Sequence, residues 1–69
     1  MNMNQFHITN ENTEDTFDST DKLEDAIRIA TEVVKNGGAG NLVCIEYKGK
    51  NIRQFFLMPN GKVAEEVLG

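Results

Sequence analysis

A single apolar stripe constrains this chain more than any other feature. Leu23, Ala26, Ile27, Ala30, Val33 and Val34 recur at spacings of three and four, which sets them on one face of an α-helix. Ile29 borders the stripe. Nothing else in the sequence repeats that period. One amphipathic helix cannot bury its stripe against itself, so the remaining chain has to supply a surface for it.

The helix has legible ends. Ser19-Thr20-Asp21 is a start signal, with Asp21 and Glu24 as a D-x-x-E form of the capping box. Arg28 is placed to pair with Glu24 and Glu32 on the solvent side. Lys35 suits the negative end of the helix dipole, and Gly37 or Gly38 closes the helix.

The segments on either side read as strands. Met3–Thr9 alternates around Phe6 and Ile8. Asn10-Glu11-Asn12 has turn chemistry, and Thr13–Asp18 follows as a weak edge strand whose one large apolar residue is Phe17. Leu42–Lys48 is rich in β-formers, Lys48–Asn51 is a tight reversal, and Ile52–Met58 returns, making a central hairpin. Pro59-Asn60-Gly61 is a further turn, and Val63–Leu68 is the last strand. The predicted fold class is α+β: a single antiparallel sheet in β-β-α-β-β-β order with the helix packed on one face. Residues 1–69 form one domain. Phe55, Phe56, Leu57 and Met58 cannot all face one side of a sheet, so some apolar surface is expected on the other face.

A core of this size is marginal, and small domains usually add a disulfide, a metal or a second chain. Cys44 is the only cysteine and His7 the only histidine. An internal disulfide is excluded, and a four-ligand zinc site lacks soft donors. A homodimer is the remaining expectation. The lone cysteine, the absence of a basic or apolar leader and the absence of a long apolar run point to a cytoplasmic protein with no membrane partner.

The helix carrying Ala26-Ile27 and Ala30, the glycine-rich turn into Asn41-Leu42-Val43-Cys44-Ile45 and the Lys48-Gly49-Lys50-Asn51-Ile52 reversal resemble a group of short uncharacterised bacterial proteins of β-β-α-β-β order. The likeness covers residues 21–57. That group usually has a histidine in its third strand, where this chain reads Ile45-Glu46-Tyr47. The resemblance implies the fold and no activity. By size and charge alone, the chain is also similar to small acidic phage proteins that mimic DNA.

Catalytic chemistry finds little to work with. Ser19 is explained as a helix cap, and Cys44 lies between Val43 and Ile45 as a buried, unreactive thiol. His7 alternates with Phe6 and Ile8 and so faces away from them as an ordinary strand histidine. Gly37-Gly38-Ala39-Gly40 follow a helix and precede a strand, the reverse of a phosphate loop. Carboxylates such as Asp15 and Asp18 lack the apolar surroundings that raise a pKa. No enzyme activity and no cofactor are expected.

Charge is the strongest functional cue. Eleven acids against seven bases give a net −4. Glu11, Glu14, Asp15, Asp18, Asp21, Glu24 and Asp25 fall within fifteen residues that contain one base, Lys22. Those in the first helical turns complement the dipole; the others repel one another unless salt or a basic ligand intervenes. The sequence therefore predicts an interaction protein whose acidic face binds a basic partner, in its most concrete form a DNA mimic in the cationic site of a DNA-binding protein, with no direct DNA binding. The alternatives are a nucleic-acid module using the basic tip Lys48, Lys50 and Arg53, flanked by Tyr47 and Phe55, and a domain with no polyanion role.

Overall fold

The computed structural model describes residues 5–13, 15–37 and 42–69. The element order is β1 (Phe6–Asn10), β2 (Thr16–Thr20), α1 (Leu23–Gly37), β3 (Leu42–Tyr47), β4 (Lys50–Leu57) and β5 (Val63–Val67). The five strands form one antiparallel sheet in the order β2-β1-β3-β4-β5, so the fold is α+β with the element order that the sequence predicts. β2 and β3 both run antiparallel to β1 and are therefore parallel to each other. The connection through α1 carries the chain from the sheet edge over β1 to the centre.

The helix buries the stripe that defines it. Ala26, Ala30 and Val34 are fully buried against Ile8, Val43, Ile45 and Phe55, and Leu23, Ile27, Ile29 and Val33 pack around them. Alanines at the centre of the contact let the helix axis approach the sheet closely, while β-branched and aromatic residues on the strands fill the space between. The register explains which strand residues meet the helix. Ile8 lies opposite Ile45, and Val43 opposite Phe55, so all four share one face.

Several boundaries differ from the sequence reading. The Asn10 side chain accepts from the Asn12 amide (2.8 Å) and the Thr13 amide (3.2 Å), and the Asn10 amide donates to the Asp15 carbonyl (2.8 Å). This Asx-type turn holds Thr13 in the loop and delays β2 to Thr16. Ser19 and Thr20 then pair with His7 and Phe6 and belong to the strand, not to the helix cap. The Lys22 carbonyl accepts the first helical bond, from Ala26 (3.0 Å), and the Thr20 hydroxyl accepts from the Lys22 amide (3.4 Å). Asp21 and Glu24 contribute charge to the helix start without forming the predicted box. Arg28 pairs with Asp25, three residues back, at 3.6 Å instead of with Glu24 or Glu32. Gly38, the other proposed helix stop, and Met3 lie outside the described residues.

Both later turns fall where their sequence signals lie, but the first is tighter than expected, since Lys50 and Asn51 already belong to β4. Lys48 and Gly49 have φ of 52° and 82° between the paired residues Tyr47 and Lys50, a two-residue turn with both centres left-handed, which matches strand twist. At the next reversal the Gly61 amide donates to the Met58 carbonyl (2.9 Å) and Met58 to Lys62 (2.8 Å). Gly61 alone takes positive φ, at 87°. No helix among the described residues is long and apolar enough to cross a membrane.

Candidate interaction site

Among the described residues, no helix or strand covers the face of the sheet away from α1. His7, Thr9, Cys44, Glu46, Asn51 and Gln54 lie on it, as the register requires of residues alternating with the core positions. His7 Nδ1 and the Ser19 hydroxyl are 2.8 Å apart, so His7 does face away from Phe6 and Ile8 and is tied to its neighbouring strand. Thr9, Asn10, Glu11, Thr16, Glu46 and Asn51 line a half-open groove of about 400 Å³ on this side.

Glu11 closes one flank of that groove. The chain leaves β1 with the Glu11 amide donating to the Leu42 carbonyl (2.8 Å), which fixes the residue beside β3. Its carboxylate accepts from the Cys44 thiol (3.0 Å) and the Asn51 amide nitrogen (3.4 Å). Cys44 is buried although no helix among the described residues lies on this face. Burial first, and then the hydrogen bond and negative charge of Glu11, push its thiol pKa up to about 12. A thiol held this way is not a nucleophile at neutral pH. The burial of Cys44 was legible from its strand; its bond to Glu11, thirty-three residues away in sequence, had no sequence signal.

The other acidic residues take different positions. Asp15 precedes β2 and is exposed, with its amide donating to the Thr13 hydroxyl (3.3 Å). Asp18 is exposed in β2, opposite Ile8, and accepts from the Ser19 amide (2.8 Å). Asp21 and Glu24 are exposed where the chain enters α1, and Asp25 is half-buried beside Arg28. Glu14 lies outside the described residues. The structure thus sets Asp15, Asp18, Asp21 and Glu24 along the free edge strand and the helix start that follows it, and turns Glu11 onto the open sheet face.

Ion pairing leaves that edge uncompensated. Among the described residues the ion pairs are Arg28–Asp25 and Arg53–Glu65. None involves Asp15, Asp18, Asp21 or Glu24. At the basic tip, Lys48 lies 5.2 Å from the centre of the Tyr47 ring, which itself stacks on Phe6 at 4.7 Å. Arg53 is engaged by β5 and its own strand. It lies on the helix side of β4, its Nε 3.5 Å from Glu65 and its Nη1 donating to the Ile52 carbonyl (3.0 Å). The Nε separation is an ion-pair distance without hydrogen-bond geometry, and that buried atom has no other partner. No group of three or more His, Cys, Asp or Glu that could hold a metal occurs among the described residues.

Comparison with known protein families, with curated proteins and with solved structures finds no match to this chain.

Proposed function

We propose that this protein is a non-enzymatic interaction module that binds a basic partner along its acidic edge. The observation that carries the reading is the edge itself. Asp15, Asp18, Asp21 and Glu24 are exposed on β2 and the entry to α1, and no cation among the described residues pairs with them. Exposed, unpaired carboxylates held on a rigid edge attract a cationic surface and release salt ions when it binds. Carboxylates spaced along a strand and a helix start stand in for phosphates, so the partner class is a DNA-binding protein and the contact its cationic DNA site. The second reading, nucleic-acid binding through the hairpin tip, loses support from Arg53, whose pairing with Glu65 leaves Lys48 and Lys50 as the exposed cations there.

The test is a competition. Immobilised protein is incubated with bacterial lysate at low and high salt, and bound proteins are challenged with duplex DNA. Basic DNA-binding proteins are expected at low salt, displaced both by DNA and by salt. An Asp15→Asn, Asp18→Asn, Asp21→Asn variant should lose them, and a Lys48→Gln, Lys50→Gln variant should keep them. The opposite pattern overturns the proposal in favour of the basic tip.

A further inference from the structure

The free edge of β5 combines unpaired backbone groups, a self-complementary pair of charges and the end of an apolar row. Met58 donates to the Lys62 carbonyl (2.8 Å) and Leu68 to the Ile52 carbonyl (3.0 Å). The β4–β5 register between these two bonds is unbroken. Hydrogen-bonded and non-bonded pairs alternate in an antiparallel ladder. Lys62, Ala64, Glu66 and Leu68 therefore turn their backbone groups towards β4, and Val63, Glu65 and Val67 turn theirs outward. β5 has no bulge or proline to blunt this edge.

The side chains favour one occupant. Alternation puts Lys62, Ala64 and Glu66 on the open face, with Lys62 two residues before Ala64 and Glu66 two after. Lys62 and Glu66 are exposed, and neither forms an ion pair among the described residues. On the same face the register aligns Leu42, Phe56 and Ala64 in a row that ends at this edge, and Phe56 is 37% exposed.

We propose that β5 pairs antiparallel with β5 of a second copy, about a two-fold axis through Ala64. This register sets Lys62 opposite the partner's Glu66, and Glu66 opposite the partner's Lys62. Val63 and Glu65 exchange their outward backbone bonds with the partner's Glu65 and Val63. The row continues across the axis as Leu42, Phe56, Ala64 and the same residues of the partner in reverse. Neighbouring registers serve less well. Centring on Val63 opposes no like charges but leaves Lys62 against Ala64 and Glu66 without a cation opposite, so it forgoes both cross-strand ion pairs. Centring on Glu65 or on Glu66 places that glutamate against its own copy, and like charges directly opposite destabilise a sheet. β2 is the poorer edge for self-pairing, since a register shift interrupts its ladder with β1 and its acids would repel their copies. The two-fold axis stands perpendicular to the sheet, so both helices lie on one face of a ten-stranded sheet. The two acidic β2 edges sit at its far ends, roughly 40 Å apart at ordinary strand spacing.

Sedimentation of the full chain from micromolar to millimolar concentration tests the pairing, and charge reversal tests the register. A concentration-dependent monomer–dimer equilibrium is expected. Lys62→Glu and Glu66→Lys should each weaken it by about tenfold, and the double variant should return to near the wild-type value. Amide hydrogen exchange at Val63 and Glu65 should slow as concentration rises, and that at Val67 should not. A monomer throughout overturns the proposal. So does a dimer that is indifferent to the single reversals, or one in which the double variant fails to recover.

Discussion

Cys44 is a side chain buried on the sheet face opposite α1, with its thiol bonded to a carboxylate. No helix among the described residues lies on that face, yet the side chain is buried, and its thiol donates to the Glu11 carboxylate. The thiol is neutral in the folded protein well past its ordinary value of 9.0, with its pKa at about 12. A group whose folded pKa is raised holds its proton more tightly in the native state. Its contribution to stability is complete below about pH 9 and is lost as pH climbs towards 12. The thiolate absorbance of the native protein should therefore stay absent through pH 10, and a thiol reagent at neutral pH should label the native chain far more slowly than the urea-unfolded chain. Equal rates would contradict the geometry. Lys48 illustrates the opposite situation, a residue in a backbone conformation that suits another type. Its φ of 52° costs an L-residue about 1–2 kcal/mol that asparagine and glycine largely avoid. Lys48→Asn, giving an Asn-Gly turn, should raise stability by about 0.5–1 kcal/mol in urea titrations. Gly49→Ala should lower it by about 1 kcal/mol or more, for conformational reasons alone, since a Cβ there meets no atom within 4 Å.

Among the elements, α1 was the most readable and β2 the least, for a physical reason. The helix is specified by its own period, and its buried face is the predicted stripe, with Ala26, Ala30 and Val34 innermost. Nothing outside the segment is needed to find it. β2 is specified by its partner. Its only large apolar residue, Phe17, is 45% exposed, so no burial pattern marks where the strand begins. The Asn10 side chain and the pairing of Ser19 and Thr20 with His7 and Phe6 set its limits. Those are contacts at a distance along the chain, and Ser19 could be read locally only as a cap. The same division holds at the site. The density of acids was legible, but the turning of Glu11 onto Cys44 and Asn51, and of Arg53 onto Glu65, required the sheet. The tight helix–sheet approach makes its own prediction. Ala30→Leu adds volume where the residue is wholly buried, and overpacking of this kind costs about 1–3 kcal/mol. Ala30→Ser nearly conserves volume but buries a hydroxyl, so both variants should unfold at lower urea than wild type, the leucine with the larger loss. An Ala30→Leu protein as stable as wild type would mean the helix stands further from the sheet than the complete burial of Ala30 implies.

For the molecule as a whole, the distribution of charge matters more than its sum. The net −4 is modest, but Asp15, Asp18, Asp21 and Glu24 share one end of the fold, where β2 is the sheet edge and α1 begins. The two acids near α1 are offset by the helix dipole, while Asp15 and Asp18 precede it and have no such compensation. Their mutual repulsion is a standing cost in the free protein, and at ordinary ionic strength it is only partly screened over distances of about 10 Å. Added salt should therefore stabilise the unbound protein, unlike one whose surface charges are paired. Neutralising Asp15 and Asp18 to asparagine should remove most of that salt dependence and raise low-salt stability by no more than about 0.5 kcal/mol, without altering the far-ultraviolet dichroism. The Asp18→Asn side chain keeps an oxygen for the Ser19 amide, so the strand retains that bond. The measurement is a pair of urea titrations at low and high salt on each protein. If wild type and variant gain equally from salt, the edge carries no stored repulsion. A basic partner would then gain only its direct attraction to the carboxylates on binding there, with no relief of repulsion added to it.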